Sequence, residues 1–214
     1  LDPALVVDER LAEVDLGGYP AHPPDGVNVS AEQIAYVKYT SGANGKPNGV
    51  EATHRNVLGL ALDPCWDNGA HERVLIHAPP TLGVSTYELW VPLLRGGTAV
   101  VAPPGKLDPA RLATLIAERN VTALWLTAGL FDVITQHHPK CFAQVREVWV
   151  GGEVVSPSAV RRLVDGDTPL TVVNGYGTTE TTTFASQYRV SSRDRCKDPL
   201  PIGEPMHASR LVVL

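Results

Sequence analysis

Within residues 39–50, three glycines (Gly42, Gly45 and Gly49) stand among two hydroxyls (Thr40 and Ser41) and a lysine (Lys46). These residue types can wrap an anion. Glycine lets the backbone approach closely and adopt positive φ, so successive amides can converge on phosphate oxygens while Thr40, Ser41 and Lys46 add side-chain donors. The ordinary nucleotide P-loop is excluded, because it needs a longer spacing between its glycines and a hydroxyl residue after its lysine. Here Lys46 precedes Pro47. The same composition also builds surface turns that bind nothing.

A second cluster occupies residues 174–182: an amide (Asn174), two glycines (Gly175 and Gly177), an aromatic ring (Tyr176), a carboxylate (Glu180) and the hydroxyls of Thr178, Thr179, Thr181 and Thr182. Each suits a nucleotide. Asn174 can exchange hydrogen bonds with a base edge, Tyr176 can stack on it, Thr179 can donate to a phosphate oxygen and Glu180 can hold magnesium.

These clusters need elements to position them. Alternation over 34–39 predicts a strand leading into the first cluster, and residues 54–60 can continue from it as a helix. Strands are then predicted at 74–78, 98–102, 123–127, 148–150 and 170–173, with helices at 85–94, 108–118, 130–136 and 156–163. Asp108 and Pro109 suit a helix start, and Leu112, Leu115 and Ile116 form its apolar stripe. Apolar strands separated by amphipathic helices imply an α/β fold with a mostly parallel sheet covered on both faces. In such sheets ligands gather where strands end in loops. That points to residues 79–85, 127–129, 151–153 and 174–182, all small, glycine-rich or polar.

Composition restricts the function classes. The chain has 214 residues, 43% hydrophobic and 19% charged, with a net charge of -5. That argues against a nucleic-acid surface, which needs a basic stripe, and no apolar run approaches a membrane span. Cys65, Cys141 and Cys196 are distant and odd in number, so we expect thiols in a reducing, cytoplasmic setting rather than disulfides or a clustered metal site. His71, His77, His137 and His138 lack metal-ligand spacing. No Gly-x-Ser-x-Gly elbow is present. Asp132 and Glu147 are expected at the surface. The N-terminus has no initiator Met or signal pattern, and the apolar run at 210–214 ends abruptly; both read as cut edges.

Residues 39–50 resemble the phosphate loop of the adenylate-forming (acyl-activating) enzyme superfamily, which runs Tyr-Thr-Ser-Gly, two small hydroxylated residues, Gly, any residue, Pro-Lys-Gly-Val. Residues 174–182 resemble its Asn-x-Tyr-Gly-Pro-Thr-Glu-Thr-Thr motif. Between them, residues 82–90 look like the aromatic-helix motif that begins its carboxylate pocket, and residues 201–205 resemble its Pro-Ile-Gly-x-Pro run. The likeness covers the chain from about Ser30 onward and is greatest to the adenylation domains of nonribosomal peptide synthetases.

The resemblance implies ATP-dependent activation of a small carboxylic acid as an acyl adenylate, then transfer to the phosphopantetheine thiol of a carrier protein. It implies residues 1–29 as an irregular lead-in, 30–190 as the phosphate loop with a flavodoxin-like, doubly wound subdomain, and 191–214 as the start of a β-rich subdomain. The C-terminal lobe of the enzyme, with its catalytic lysine, would lie outside this chain. Thr179 and Glu180 are the implied catalytic residues, Glu180 holding Mg²⁺. Thr40, Ser41, Gly42, Gly45, Lys46, Asn48, Gly152, Glu153, Asn174 and Tyr176 are the implied nucleotide contacts.

Departures from the pattern concentrate in the loop. Ala43 and Asn44 replace hydroxylated residues, Asn48 stands where the family has lysine, and Thr178 replaces its usual proline. Lys46 sits at the variable position. The implied acid pocket is Gly83, Val84, Tyr87, Trp125, Trp149, Gly151, Gly175, Thr183 and Phe184. Gly83 falls where domains that activate α-amino acids carry an aspartate for the substrate ammonium, and a buried ammonium without a counter-charge is costly. The expected substrate is therefore an α-keto, α-hydroxy or flat aryl acid. Two other readings follow from the same residues: an aryl or acyl coenzyme A ligase, and a non-catalytic scaffold domain suggested by the loop departures.

Overall fold

The computed structural model describes residues 22, 26–42, 45–105, 108–164 and 170–212. Ala43, Asn44 and most of the lead-in lie outside them. The first cluster is the turn of an antiparallel hairpin, β1 (Ile34–Thr40) and β2 (Asn48–Thr53), with Thr40 opposite Asn48. This corrects the expected strand–loop–helix: a second strand intervenes before α1 (His54–Ala61). The turn formers Pro47, Asn48 and Gly49 hid its start, and only Val50 and Ala52 show its inward face. Thr53 then starts α1 with a reciprocal cap, accepting from the Asn56 amide at 3.3 Å while Asn56 Oδ1 accepts from the Thr53 amide at 2.9 Å.

The main sheet has seven strands in the order β4-β3-β5-β6-β7-β8-β9. They are β3 (Arg73–Ile76), β4 (Thr98–Val101), β5 (Ala123–Thr127), β6 (Glu147–Gly151), β7 (Thr171–Tyr176), β8 (Ser186–Val190) and β9 (Glu204–Pro205). The first five in the spatial order run parallel, β8 pairs antiparallel with β7, and β9 pairs antiparallel with β8. Helices α2 (Ser85–Leu94), α3 (Pro109–Glu118), α4 (Ala128–His137) and α5 (Pro157–Val164) connect the parallel strands. This is the flavodoxin-like order, and the direction of winding reverses between β3 and β5. Glu204 and Pro205 extend the same sheet at its β8 edge.

Alternation along the strands divides the core. Leu75, Leu124, Leu126, Val148, Val150 and Val172 pack beneath α3, α4 and α5 with Leu112, Ile116, Phe131 and Val160. On the other face Val74, Ala123, Trp125, Trp149 and Val173 meet Leu60 of α1, Tyr87 and Val91 of α2, and Trp66. Each large side chain so buried contributes about 1.5–3 kcal/mol. Asp108 caps α3 by accepting from the Arg111 amide at 2.9 Å, and Thr127 caps α4 through the Leu130 amide at 3.2 Å.

Glu147 departs from expectation. It is 1% exposed rather than at the surface. Its carboxylate pairs with Arg189 of β8 and accepts from Asn68 Nδ2 at 2.7 Å and Trp149 Nε1 at 2.5 Å. Asn68 and Arg189, both distant in sequence, make that burial tolerable together with Trp149 two residues along the strand. Asp132 is partly exposed and pairs with Arg162. No described cysteine is in a disulfide. Among the described residues no helix is long and apolar enough to cross a membrane.

Candidate functional site

The hairpin turn, the α2 approach and the β7–β8 connection meet at the C-terminal edge of the parallel strands. In the turn, the Gly45 amide donates to the Gly42 carbonyl at 3.0 Å. Gly42 is required by closure: a β-carbon there would fall 2.0 Å from the Lys46 carbonyl oxygen. Gly45 has φ +74°, which favours glycine. Lys46 and Asn48 are exposed on this hairpin, as is Ser41.

Thr178 to Thr183 form the opposing wall. A short 3-10 turn (Thr179–Thr181) is capped at Thr178, whose amide donates to Thr181 Oγ1 at 2.9 Å. Thr182 and Thr183 then adopt positive φ, 54° and 90°, which is strained for threonine. The strain is held by the amides of Thr182 and Thr183, which donate to the carbonyls of Thr179 (3.1 Å) and Thr178 (3.2 Å), by the Thr183 hydroxyl on the Gly83 carbonyl at 2.8 Å and by the Ala185 amide on the Tyr176 carbonyl at 2.8 Å. Glu180 is fully solvent-facing, and its carboxyl is held below the ordinary range by its own backbone amide first, with the hydroxyls of Thr178 and Thr40 adding to it. The two sequence clusters therefore meet at Thr40 and Glu180.

Between the Thr178–Thr183 wall and the start of α2 lies a cavity of about 180 Å³. Of the expected acid-pocket residues, Gly83, Val84, Trp125, Gly175, Thr183 and Phe184 line it, joined by Thr179 of the expected catalytic pair and Gly152 of the nucleotide set. Tyr87 and Trp149 do not face it. Both are fully buried and form an aromatic layer behind Phe184, whose ring lies 4.5 Å from that of Trp149 and 5.6 Å from that of Tyr87. Gly151 is buried beside Trp125. Gly152 has φ +87° and opens the cavity edge next to exposed Glu153. Tyr176 is 50% exposed and free to stack, whereas the Asn174 amide donates to the Pro201 carbonyl at 2.8 Å. That bond ties the Pro201–Ile202–Gly203 run to β7.

Three polar residues near this site were not anticipated. Lys38 Nζ reaches from β1 to the Leu82 carbonyl (2.7 Å) and the hydroxyls of Ser85 (2.8 Å) and Thr86 (3.0 Å). Burial lowers its pKa to about 8, against the opposing charge of Glu88. Glu88 is fully buried and accepts from the amides of His77 (3.2 Å) and Ala78 (3.0 Å), which terminates β3. Its pKa is raised to about 8, chiefly by burial. His77 Nε2 lies 2.8 Å from the Trp125 carbonyl, and burial depresses its pKa. The available signal for Lys38 was its phase: Tyr36, Lys38 and Thr40 share the inner face of β1.

A family model described as AMP-binding enzyme matches residues 3–214. The chain belongs to the AMP-binding enzyme family. Among its relatives in this family, a linear gramicidin synthase protein of Brevibacillus parabrevis is 36% identical over 192 residues, 89% of this chain and 4% of that protein. Malpibaldin synthetase of Mortierella alpina is 35% identical over 187 residues, covering 86% of this chain and 3% of that protein. The AMP-binding fold is also matched by PA1221, a solved nonribosomal peptide synthetase protein with adenylation and carrier (PCP) domains, at TM-score 0.79 and 35% identity, over 90% of this chain and 40% of that one. The N-terminal subdomain of Klebsiella oxytoca NpsA, solved with 3-hydroxybenzoyl-AMSN, matches at TM-score 0.79 and 30% identity, over 90% of this chain and 50% of that one. The chain thus spans a small part of the synthetases it resembles and half or less of these solved proteins.

Proposed function

We propose that this chain is the nucleotide- and acid-binding part of an adenylation enzyme, a ligase that activates a carboxylic acid with ATP and passes the acyl group to a carrier-protein thiol in nonribosomal peptide assembly. The observation that carries this reading is the meeting of the glycine hairpin and the Thr179–Thr181 turn beside one acid-sized cavity. The Gly42 amide, with Thr40, Ser41 and Lys46, would hold the outer phosphates on the turn that Gly45 closes. Thr179 lies at the cavity rim, where it would hold the α-phosphate beside the acid carboxylate. Attack of a carboxylate oxygen on the α-phosphorus forms the acyl–phosphate bond as the bond to pyrophosphate breaks. Alignment of the two reactants and donors fixed on the phosphates supply the rate. Tyr176 would stack on adenine, with Gly152, Glu153 and the Asn174 oxygen at its edge.

Mg²⁺ fits the residues present. Glu180 is an exposed, ionised carboxylate at the phosphate end of the site. No cluster of three or more metal-ligating residues occurs among the described residues, which suits a magnesium ion that takes most of its ligands from phosphate and water. When bound, it would neutralise charge on the phosphates.

The acid itself is read as lacking an α-ammonium: a keto, hydroxy or aryl acid. Gly83, Trp125, Gly175 and Phe184 line the cavity without a carboxylate. The NpsA structures with aroyl-AMSN ligands support a flat acid in a cavity of this kind. Segment 30–190 is the substrate- and AMP-binding unit in this reading, and the reaction belongs in the cytoplasm, where ATP is available and thiols persist. ATP–pyrophosphate exchange by the full-length enzyme with amino, keto, hydroxy and aryl acids tests the proposal. Strong preference for a common α-amino acid would sink the acid class. Asn48 favours one other reading, a non-catalytic scaffold, for which the full-length protein would bind neither ATP nor AMP.

A further inference from the structure

Lys38 stands one layer behind the acid cavity. Its ammonium donates to the Leu82 carbonyl at 2.7 Å, the Gly83 carbonyl at 3.3 Å, the Ser85 hydroxyl at 2.8 Å and the Thr86 hydroxyl at 3.0 Å. Leu82 and Gly83 are cavity wall. All four acceptors are neutral, so they satisfy the donors of Lys38 without cancelling its charge. Glu88 acts on that charge, but its Oε2 is turned to the amides of His77 and Ala78.

The Gly83 carbonyl is closed as well. The Thr183 hydroxyl donates to it at 2.8 Å and the Thr86 amide at 3.0 Å, with Lys38 Nζ at 3.3 Å, which leaves no lone pair free. Position 83 therefore offers the cavity neither a side chain nor a free acceptor, and a positive charge lies behind it. Lack of room is not the reason. A β-carbon on Gly83 would meet nothing closer than Thr179 Oγ1 at 3.4 Å, an ordinary contact.

We propose that Lys38 is a specificity-determining positioning residue: with Gly83 it forms one unit that disfavours a cationic α-substituent and favours acids whose α-substituent is neutral. The inference rests on the acid-activation reading above. It has a consequence that position 83 alone does not have. A carboxylate introduced there would be drawn into an ion pair with Lys38 and would be unavailable to a substrate ammonium.

The test is a double-variant cycle in the full-length enzyme, measured by ATP–pyrophosphate exchange with the matched acids α-ketoisovalerate, α-hydroxyisovalerate and valine. The readout is the ratio of kcat/KM for valine to that for α-ketoisovalerate, which a merely structural role of Lys38 would not move. Gly83→Asp alone should change the ratio less than about threefold, whereas Gly83→Asp with Lys38→Gln should favour valine at least about tenfold beyond the product of the single variants, a coupling of about 1.4 kcal/mol. Gly83→Asp with Lys38→Arg, which keeps the charge, should behave as Gly83→Asp alone. Multiplicative single effects, or an equal gain with Lys38→Arg, overturn the proposal. If the Lys38→Gln chain does not fold, Gly83→Asp decides by itself: a gain of about tenfold with Lys38 in place overturns the proposal, and a gain under about threefold supports it. Wild-type preference for valine, or no exchange either with these acids or with the aryl acids of the function test, counts against the underlying acid-class reading and takes this proposal with it. Wild-type rejection of valine with uncoupled variants overturns the Lys38 role alone.

Discussion

Gly151 at the end of β6 and Gly175 in β7 stand so close that a β-carbon on Gly151 would fall 2.4 Å from the Gly175 carbonyl oxygen. On Gly175 it would meet the rings of Trp149 at 2.8 Å and Phe184 at 2.9 Å. Gly175 therefore lines the acid cavity with the aromatic layer pressed against it, and Gly151 abuts it from behind. Alanine at either position should force a backbone or ring shift and cost about 1–3 kcal/mol in urea unfolding, with lower exchange activity. Gly83→Ala, which meets only ordinary contacts, should unfold within about 0.5 kcal/mol of the parent. Equal stability of all three variants would refute the packing account.

The Glu147–Arg189 pair is unequal in exposure. Glu147 is 1% exposed on its side chain and Arg189 is 32% exposed. Removing the arginine leaves a buried carboxylate, whereas removing the carboxylate leaves an arginine that can turn to water. Arg189→Met should thus destabilise by about 3 kcal/mol, the lower end for a broken buried pair. Denaturant titration should place Glu147→Gln at a smaller loss. The reverse order would mean that the hydrogen bonds to Asn68 and Trp149 outweigh the ion pair.

Burial raises the Glu88 carboxyl to about 8, against the Ala78 and His77 amides and the charge of Lys38. The folded value lies above the unfolded one, so the folded chain retains a proton that the unfolded chain has released. Stability from this group is complete below the unfolded pKa of about 4.3 and is lost as pH rises through about 8. Measured against Glu88→Gln, the parent should lose relative stability between about pH 5 and pH 8. A difference that is flat or grows with pH would show that Glu88 is ionised throughout.

Asn48 occupies the hairpin opposite Thr40 and carries no charge. Asn48→Lys should strengthen the hold on triphosphate by one charge-assisted hydrogen bond, about 1.5–3 kcal/mol, and lower the KM for ATP about tenfold or more. An unchanged KM would mean that Lys46 or the backbone amides already supply that contact.

Much of this protein can be read from its residues in order. The alternation of apolar strands with capped helices determines a parallel sheet, because each strand must bury both faces. The glycine and threonine clusters fall where such a sheet places its loops. Helix α2 and strand β5 coincide with their predicted bounds, since Ser85, Ala123 and Thr127 mark clear changes of period. What local sequence does not contain is which polar group meets which partner across the fold. Glu147 is buried because Asn68 and Arg189 converge on it from separate elements, beside Trp149 of its own strand. Lys38 reaches the acid wall because the hairpin folds onto the start of α2. Trp149 and Tyr87 lie behind the cavity because β6 and α2 turn them inward against Trp66, while Trp125 and Phe184 remain at its surface. Periodicity reports the face of an element, but burial of a charge depends on distant partners, and only the tertiary structure brings those together.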